Sequence, residues 1–132
     1  MTYIREAEKI ANKYNTRNPV EIAKNMDISV VYLPFDELYG MACSLGKYRL
    51  IGVNSGLDEP IQRLVIAHEL GHFVLHPEGN FFFILNETMF YSKFEYQANM
   101  FAIGLCYGEE VARYDYVREI ASGKIENLCK IL

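Results

Sequence analysis

Cysteine is scarce in this 132-residue chain. Cys43, Cys106 and Cys129 are an odd set with no CxxC pair. That rules against a secreted disulfide framework and against a cysteine zinc site. A basic block is also missing. Lys and Arg number 13 against 17 Asp and Glu, for a net charge of -4. Direct nucleic-acid binding draws on clustered Lys and Arg, so that partner class is set aside. A membrane-surface protein would need a polybasic patch, and none is present. Long apolar runs are absent too. Phe81–Leu85 and Leu64–Ala67 are the most apolar short stretches, far below the length of a membrane span. Met1–Ala11 carries Arg5, Glu6, Glu8 and Lys9, which leaves no apolar signal-peptide core. No repeat or low-complexity tract interrupts the chain. What is there is 51% hydrophobic and 23% charged, enough for a core without staples. The expectation is a single domain over residues 1–132, cytoplasmic, with neither nucleic acid nor membrane as a partner.

Periodicity and punctuation place the elements. Tyr3, Ala7, Ile10, Ala11 and Tyr14 share one face of a helix over Thr2–Tyr14. Asn18-Pro19 opens a short helix, Pro19–Met26, with Asn as N-cap and Pro at the first position. Ile28–Leu33 is rich in β-branched residues and reads as a strand ended by Pro34. Gly40–Leu45 and Tyr48–Asn54 are extended runs around Gly46-Lys47, a two-residue hairpin turn with Gly first. A long helix is predicted from Pro60 to Leu75, with Asp58 or Glu59 as N-cap acceptor or dipole partner, and Pro77 stops it. Phe81–Leu85 is a short strand or an apolar anchor. A helix follows from Glu87 to Tyr107, with Phe94, Ala98, Phe101 and Leu105 on one face. Gly108 caps it. Glu109–Ile120 and Lys124–Leu132 complete the chain as two terminal helices. Strands first and helices after predict an α+β fold with a small antiparallel or mixed sheet.

The long helix contains His68-Glu69-Leu70-Gly71-His72, an HExxH pattern. Residues four apart stand one turn above each other, so both imidazoles can bind one tetrahedral Zn²⁺ from the same side. Glu69 is rotated by about a hundred degrees, given 3.6 residues per turn, and can instead reach a water beside the ion as a general base. From Leu64 to Leu75 every other residue is apolar or Gly, which predicts a buried helix. Three polar residues buried there are costly without partners. A metal with its water satisfies all three together. The competing reading has His68 and His72 as hydrogen-bonded core histidines with Glu69 as their partner.

Zinc needs a third protein ligand. Six residues after the second histidine stands Glu78, and the glycine of that ligand pattern is missing at Leu75. Glu95 is the best candidate, bordering the apolar stripe of the next helix, with Ala98 and Ala102 as small neighbours that allow close approach. Position alone does not separate a ligand from a solvated helix glutamate. Glu87, Glu78 and Asp115 are weaker rivals. His76 reads as a helix C-terminal cap, or as a residue that supports the ligands or binds substrate. Asn99, one turn after Glu95, is placed to hold a ligand, or to bond solvent or backbone.

Three segments together resemble a known family: Asn18–Lys24 with the strand after it, HELGH followed by Leu75-His76-Pro77, and Phe94-Glu95-Tyr96-Gln97-Ala98-Asn99-Met100-Phe101-Ala102. They are similar to the ImmA/IrrE metallo-endopeptidases, over most of the chain from about Thr2 to Leu105. HExxH is shared with many zincins, and its combination with E-x-x-A-N-x-F-A is much more specific. The resemblance implies a compact zincin-like domain, its sheet packed on a buried HExxH helix with further helices C-terminal to it. It implies one Zn²⁺ per chain on His68, His72 and Glu95, with Glu69 as the catalytic acid and base. It also implies a helix-turn-helix transcriptional repressor as protein substrate, cleaved to derepress a phage, mobile element or stress regulon. Two departures stand out. The Met-Pro segment frequent after the Glu helix is replaced by Leu105-Cys106-Tyr107-Gly108, and there is no room for an additional domain, as in a minimal stand-alone form.

The chemistry expected is peptide-bond hydrolysis, with Tyr91 or Tyr39 as the oxyanion donor. An extended substrate is expected to add to an exposed strand edge, Gly40–Leu45 or Tyr48–Asn54. Two other readings compete. One is a non-catalytic zinc-fold protein acting as a stoichiometric anti-repressor. The other is a purely structural zinc or metal-free core, with the apolar His helix a packing element. Cys43 and Cys106 are read as core residues. The sequence does not set the oligomeric state.

Overall fold

A computed structural model describes residues 2–77, 79–86 and 93–122. Helices α1 (Thr2–Tyr14) and α2 (Pro19–Asn25) lead into strands β1 (Ser29–Leu33), β2 (Leu38–Leu45) and β3 (Tyr48–Asn54). Helix α3 (Glu59–Leu75), strand β4 (Phe81–Asn86) and helices α4 (Lys93–Tyr107), α5 (Glu109–Ala112) and α6 (Asp115–Ala121) follow. The fold is α+β, with a four-stranded mixed sheet of order β1-β3-β2-β4. β1 runs parallel to β3, and β2 is antiparallel to both β3 and β4.

Local chemistry explains most boundaries. The Asn18 side chain accepts from the Val20 N–H at 3.0 Å, and Pro19 fills the first position of α2. Leu45 pairs with Tyr48 across the turn, and Gly46 takes φ +60, which a hairpin with Gly at its first turn position requires. At α3 the N-cap is Asp58, which makes no side-chain cap bond, and Glu59 supplies the acidic first turn. The stabilisation there is therefore electrostatic, from the helix dipole.

Helix α3 lies between the sheet, through β2 and β3, and α4, which α1 covers in turn. That sandwich is why α3 is apolar all round. Leu64, Ile66, Leu70 and Phe73 are essentially fully buried. Each contributes about 1.5–3 kcal/mol, on the scale needed to offset the desolvation of His68, Glu69 and His72.

Several expectations are corrected. Neither Gly40–Leu45 nor Tyr48–Asn54 is an edge, because β3 lies between β1 and β2, and β2 between β3 and β4. Among the described residues the edges are β1 and β4. Glu109–Ile120 is not one helix. Arg113 and Tyr114 close onto Glu110 and Val111 with three-residue bonds, and the chain restarts at Asp115. The reorientation lets Ala112, Val117 and Ala121 all reach the core, with no Gly or Pro to signal it. Phe94 does not belong to the buried stripe of α4. It is 45% exposed, whereas Glu95 is 2% exposed, since α4 is packed by neighbours on more than one side from Gln97 to Leu105. Cys43 and Cys106 are in no disulfide and only half-buried, so neither is a full core residue. The expected helical turns over 87–92, the helix Lys124–Leu132 and Cys129 lie outside the described residues. Among the described residues no helix is long and apolar enough to cross a membrane.

Candidate metal centre

Helix α3 carries His68, Glu69 and His72, all 0% exposed, and α4 brings Glu95 against them. One ligand atom from each of His68, His72 and Glu95 lies within 4.8 Å of the other two. This is the only such His, Cys, Asp and Glu group among the described residues. His68 Nε2 is 2.8 Å from Glu95 Oε2, and His72 Nε2 is 3.0 Å from Glu95 Oε1. The first contact is an aligned hydrogen bond. The second is too far off line to be one.

A second contact fixes the tautomer of His68. Asn99 Nδ2 donates to the Ala121 carbonyl at 2.7 Å, so its Oδ1 faces His68 Nδ1 at 2.6 Å. His68 therefore carries a proton on Nδ1 and turns Nε2 toward the ligand cluster. Asn99 thus bonds His68 rather than Glu95, and the end of α6 braces it.

The electrostatics describe a site set up for a cation. Burial works against charge on His68, but its bond to Glu95, the Glu69 and Glu95 charges and the Asn99 bond prevail, raising its pKa above 6.5. Burial would raise Glu95, yet the His68 hydrogen bond, the close His72 contact and the His68 charge bring it down to about 2. In the metal-free protein a proton on His68 Nε2 thus sits where a cation would be shared with Glu95. His72 is pushed down to about 4, chiefly by burial and also by the His68 charge. It is a neutral imidazole, the form that binds metal. Glu69 is raised to about 8 by burial, with Glu95 adding and the His68 charge opposing. Neither of its oxygens has an aligned hydrogen-bond partner, and Oε1 is 3.9 Å from His68 Nε2. Orphaned acceptors and a neutral imidazole beside a carboxylate are a donor set that a divalent N/O-binding ion completes.

The other predicted residues are placed as follows. His76 is at the C-cap of α3, donating its backbone N–H to the His72 carbonyl at 3.1 Å. Its ring stands edge-on to Phe94 with centroids 4.7 Å apart, and 6.3 Å from the His72 ring. Tyr39 sits at the irregularity of β2 between Leu38 and Gly40, packed against the core. Asp115 is exposed at the start of α6, away from the ligand cluster. Tyr91, Glu78 and Glu87 lie outside the described residues.

Two neighbours were not legible beforehand. Gly40 lets β2 approach α3 beside the acid: a Cβ there would lie 2.6 Å from Val65 Cγ1 and 3.5 Å from Glu69 Cγ. Phe83 of β4 stacks on the His72 ring, centroids 3.9 Å apart and 7° from parallel. A Gly within a strand is a weak sign of close approach. Nothing in Phe81–Leu85 singled out Phe83.

A buried His-His-Glu cluster from an HExxH helix and the next helix, under a mixed sheet, defines a zincin-like α+β protein. The peptidase M78 family model, described as the IrrE N-terminal-like domain, matches residues 23–119. The chain belongs to the ImmA/IrrE family of metallopeptidases. "Uncharacterized immunity region protein 2" of Bacillus phage phi105 is 36% identical over 102 residues, covering 74% of this chain and 63% of its own length. "Metallopeptidase ImmA" of Bacillus subtilis (strain 168) is 34% identical over 104 residues, covering 74% of this chain and 58% of its own length. The chain thus spans about three fifths of the length of these curated relatives. No solved structure matches it significantly.

Proposed function

We propose that this chain is a zinc-dependent endopeptidase that cleaves a helix-turn-helix repressor and so derepresses a phage, mobile element or stress regulon. The observation that carries the reading is the meeting of His68, His72 and Glu95 within 4.8 Å, with the unbonded Glu69 carboxyl beside them. The immunity-region name of the phage relative favours a regulatory protein as substrate.

His68, His72 and Glu95 would hold the zinc, which when bound would supply the electrophile for the scissile carbonyl and lower the pKa of a water. Glu69 carries the proton, taking it from the attacking water and delivering it to the leaving nitrogen. Asn99 keeps His68 in the ligating tautomer. The outer edge of β4 is the strand for an extended substrate segment to pair with, since β4 borders the cluster through Phe83 and His72. Affinity from main-chain bonds is weakly sequence-dependent, so a folded repressor is recognised elsewhere and offers a flexible linker.

The test joins metal analysis to cleavage. Wild type is expected to hold one zinc per chain, and Glu95→Ala to lose it, by elemental mass spectrometry. Glu69→Gln is expected to keep zinc and to lose cleavage of a helix-turn-helix repressor that the wild type cleaves. Wild type that takes up no zinc overturns the hydrolase reading. A Glu69→Gln variant that still relieves repression points instead to a stoichiometric anti-repressor.

A further inference from the structure

The two histidines are held in different ways. His68 is fixed through Nδ1 by the buried Asn99 side chain. His72 lies flat on the Phe83 ring at 3.9 Å and 7°, with the His68 ring edge-on at 5.1 Å and 83°. Among the described residues neither nitrogen of His72 makes an aligned hydrogen bond.

A histidine ring turns about a broad, roughly two-fold torsion, so burial alone does not aim its nitrogens. A parallel ring at 3.9 Å does. Rotating the imidazole drives its edge into the phenyl face on one side, and the His68 ring limits it on the other. The phenyl face is negative, and an imidazole bonded to a cation is electron-poor, so the stack strengthens when metal binds. Phe83 is itself held in place, because its backbone is in register with buried Ala42 on β2.

We infer that Phe83, on the sheet-edge strand, is the positioning residue for His72, holding it for metal by ring stacking where Asn99 holds His68 by a hydrogen bond. The inference rests on the zinc site proposed above. It places a metal ligand under the control of β4, the strand to which an extended substrate would add.

Zinc affinity is measured by competition with a chromogenic chelator for wild type, Phe83→Leu, Phe83→Tyr and Phe81→Leu. Phe81 packs on Phe73 and, at 5.4 Å, on Phe83, with no ring contact to a histidine among the described residues, so its variant reports loss of apolar packing beside the stack. The expected result is affinity about tenfold weaker for Phe83→Leu, restored by Phe83→Tyr, and nearly unchanged for Phe81→Leu. In the metal-free wild type, the His72 ring protons are expected to be shifted upfield by the stacked phenyl in NMR spectra. This readout stands even where Phe83→Leu fails to fold. Equal affinities for wild type and Phe83→Leu, equal losses for Phe83→Leu and Phe81→Leu, or unshifted His72 protons overturn the inference while leaving the zinc site intact. Wild type that binds no zinc overturns the site, and the inference with it.

Discussion

Asn99→Asp exchanges one amide nitrogen for an oxygen, and the structure assigns opposite outcomes to the two ends of that side chain. Toward His68 the carboxylate accepts the Nδ1–H at the present 2.6 Å with added charge, an arrangement that strengthens a metal-ligating histidine. Toward α6 it sets an oxygen against the Ala121 carbonyl oxygen at 2.7 Å, where a donor had been. Losing a buried hydrogen bond and facing two acceptors costs about 1–3 kcal/mol. For a chain of this length that is a fall of about 4–11 °C in melting temperature. Zinc affinity is expected to hold or rise. Asn99→Ala removes both bonds and leaves the His68 donor buried, so it loses stability and about 10–100-fold in zinc affinity together. Thermal melting of metal-free protein and chelator competition separate the two. An Asn99→Asp variant as stable as wild type, or one that loses zinc as Asn99→Ala does, would refute the bridging role of this amide.

Two further outcomes are expected. Gly40→Ala puts a methyl group 2.6 Å from Val65 Cγ1 and 3.0 Å from the Gly52 carbonyl oxygen, so β2 or α3 must shift. The cost is about 1–3 kcal/mol, read as a lower melting temperature, and an unchanged one would contradict the close approach. Metal-free protein is expected to lose stability as pH rises from about 6.5 to 8. Across that window folded Glu69, raised to about 8, keeps a proton that the unfolded chain has released, and His68, also raised, acts in the same direction. The slope is about 1–3 kcal/mol per pH unit. His72, lowered to about 4, offsets Glu69 between about 4.5 and 6.5, and below 4.5 His72 and Glu95, lowered to about 2, make stability fall as pH drops. Zinc displaces the retained protons, so the melting temperature gained on adding zinc grows from pH 6.5 to 8. A metal-free melting temperature that rises over that window would show that Glu69 and His68 are not held in their protonated forms.

The parts legible in the sequence are those governed by short-range geometry. HExxH spacing puts two imidazoles on one helix face wherever that helix lies. Its apolar surroundings announced burial, because a helix without a polar face has no side to give to water. Asn18-Pro19, Gly46-Lys47 and Pro77 marked boundaries through backbone chemistry that acts within a few residues. Glu95 was only one possibility by position, and it took the resemblance of the segment around it to favour it as a ligand.

Tertiary structure decided what depends on distant segments meeting. Whether Glu95 is a solvated helix residue or lies 2.8 Å from His68 depends on how α4 packs on α3, 27 residues away. No periodicity encodes that docking. Asn99 could by position have bonded a neighbouring side chain, solvent or backbone, and its partners, His68 and the Ala121 carbonyl, are 31 and 22 residues distant. Strand order was hidden as well. Alternation shows that a run is extended but not which neighbour it pairs with, so the edge passed from the expected hairpin strands to β4. With β4 came Phe83 against His72. By itself, then, the sequence determined the helix that presents two histidines and an acid. The place of Glu95 beside the two histidines, and of Asn99 and Phe83 against them, was settled by packing, because side chains close in space but far apart in sequence leave no local pattern.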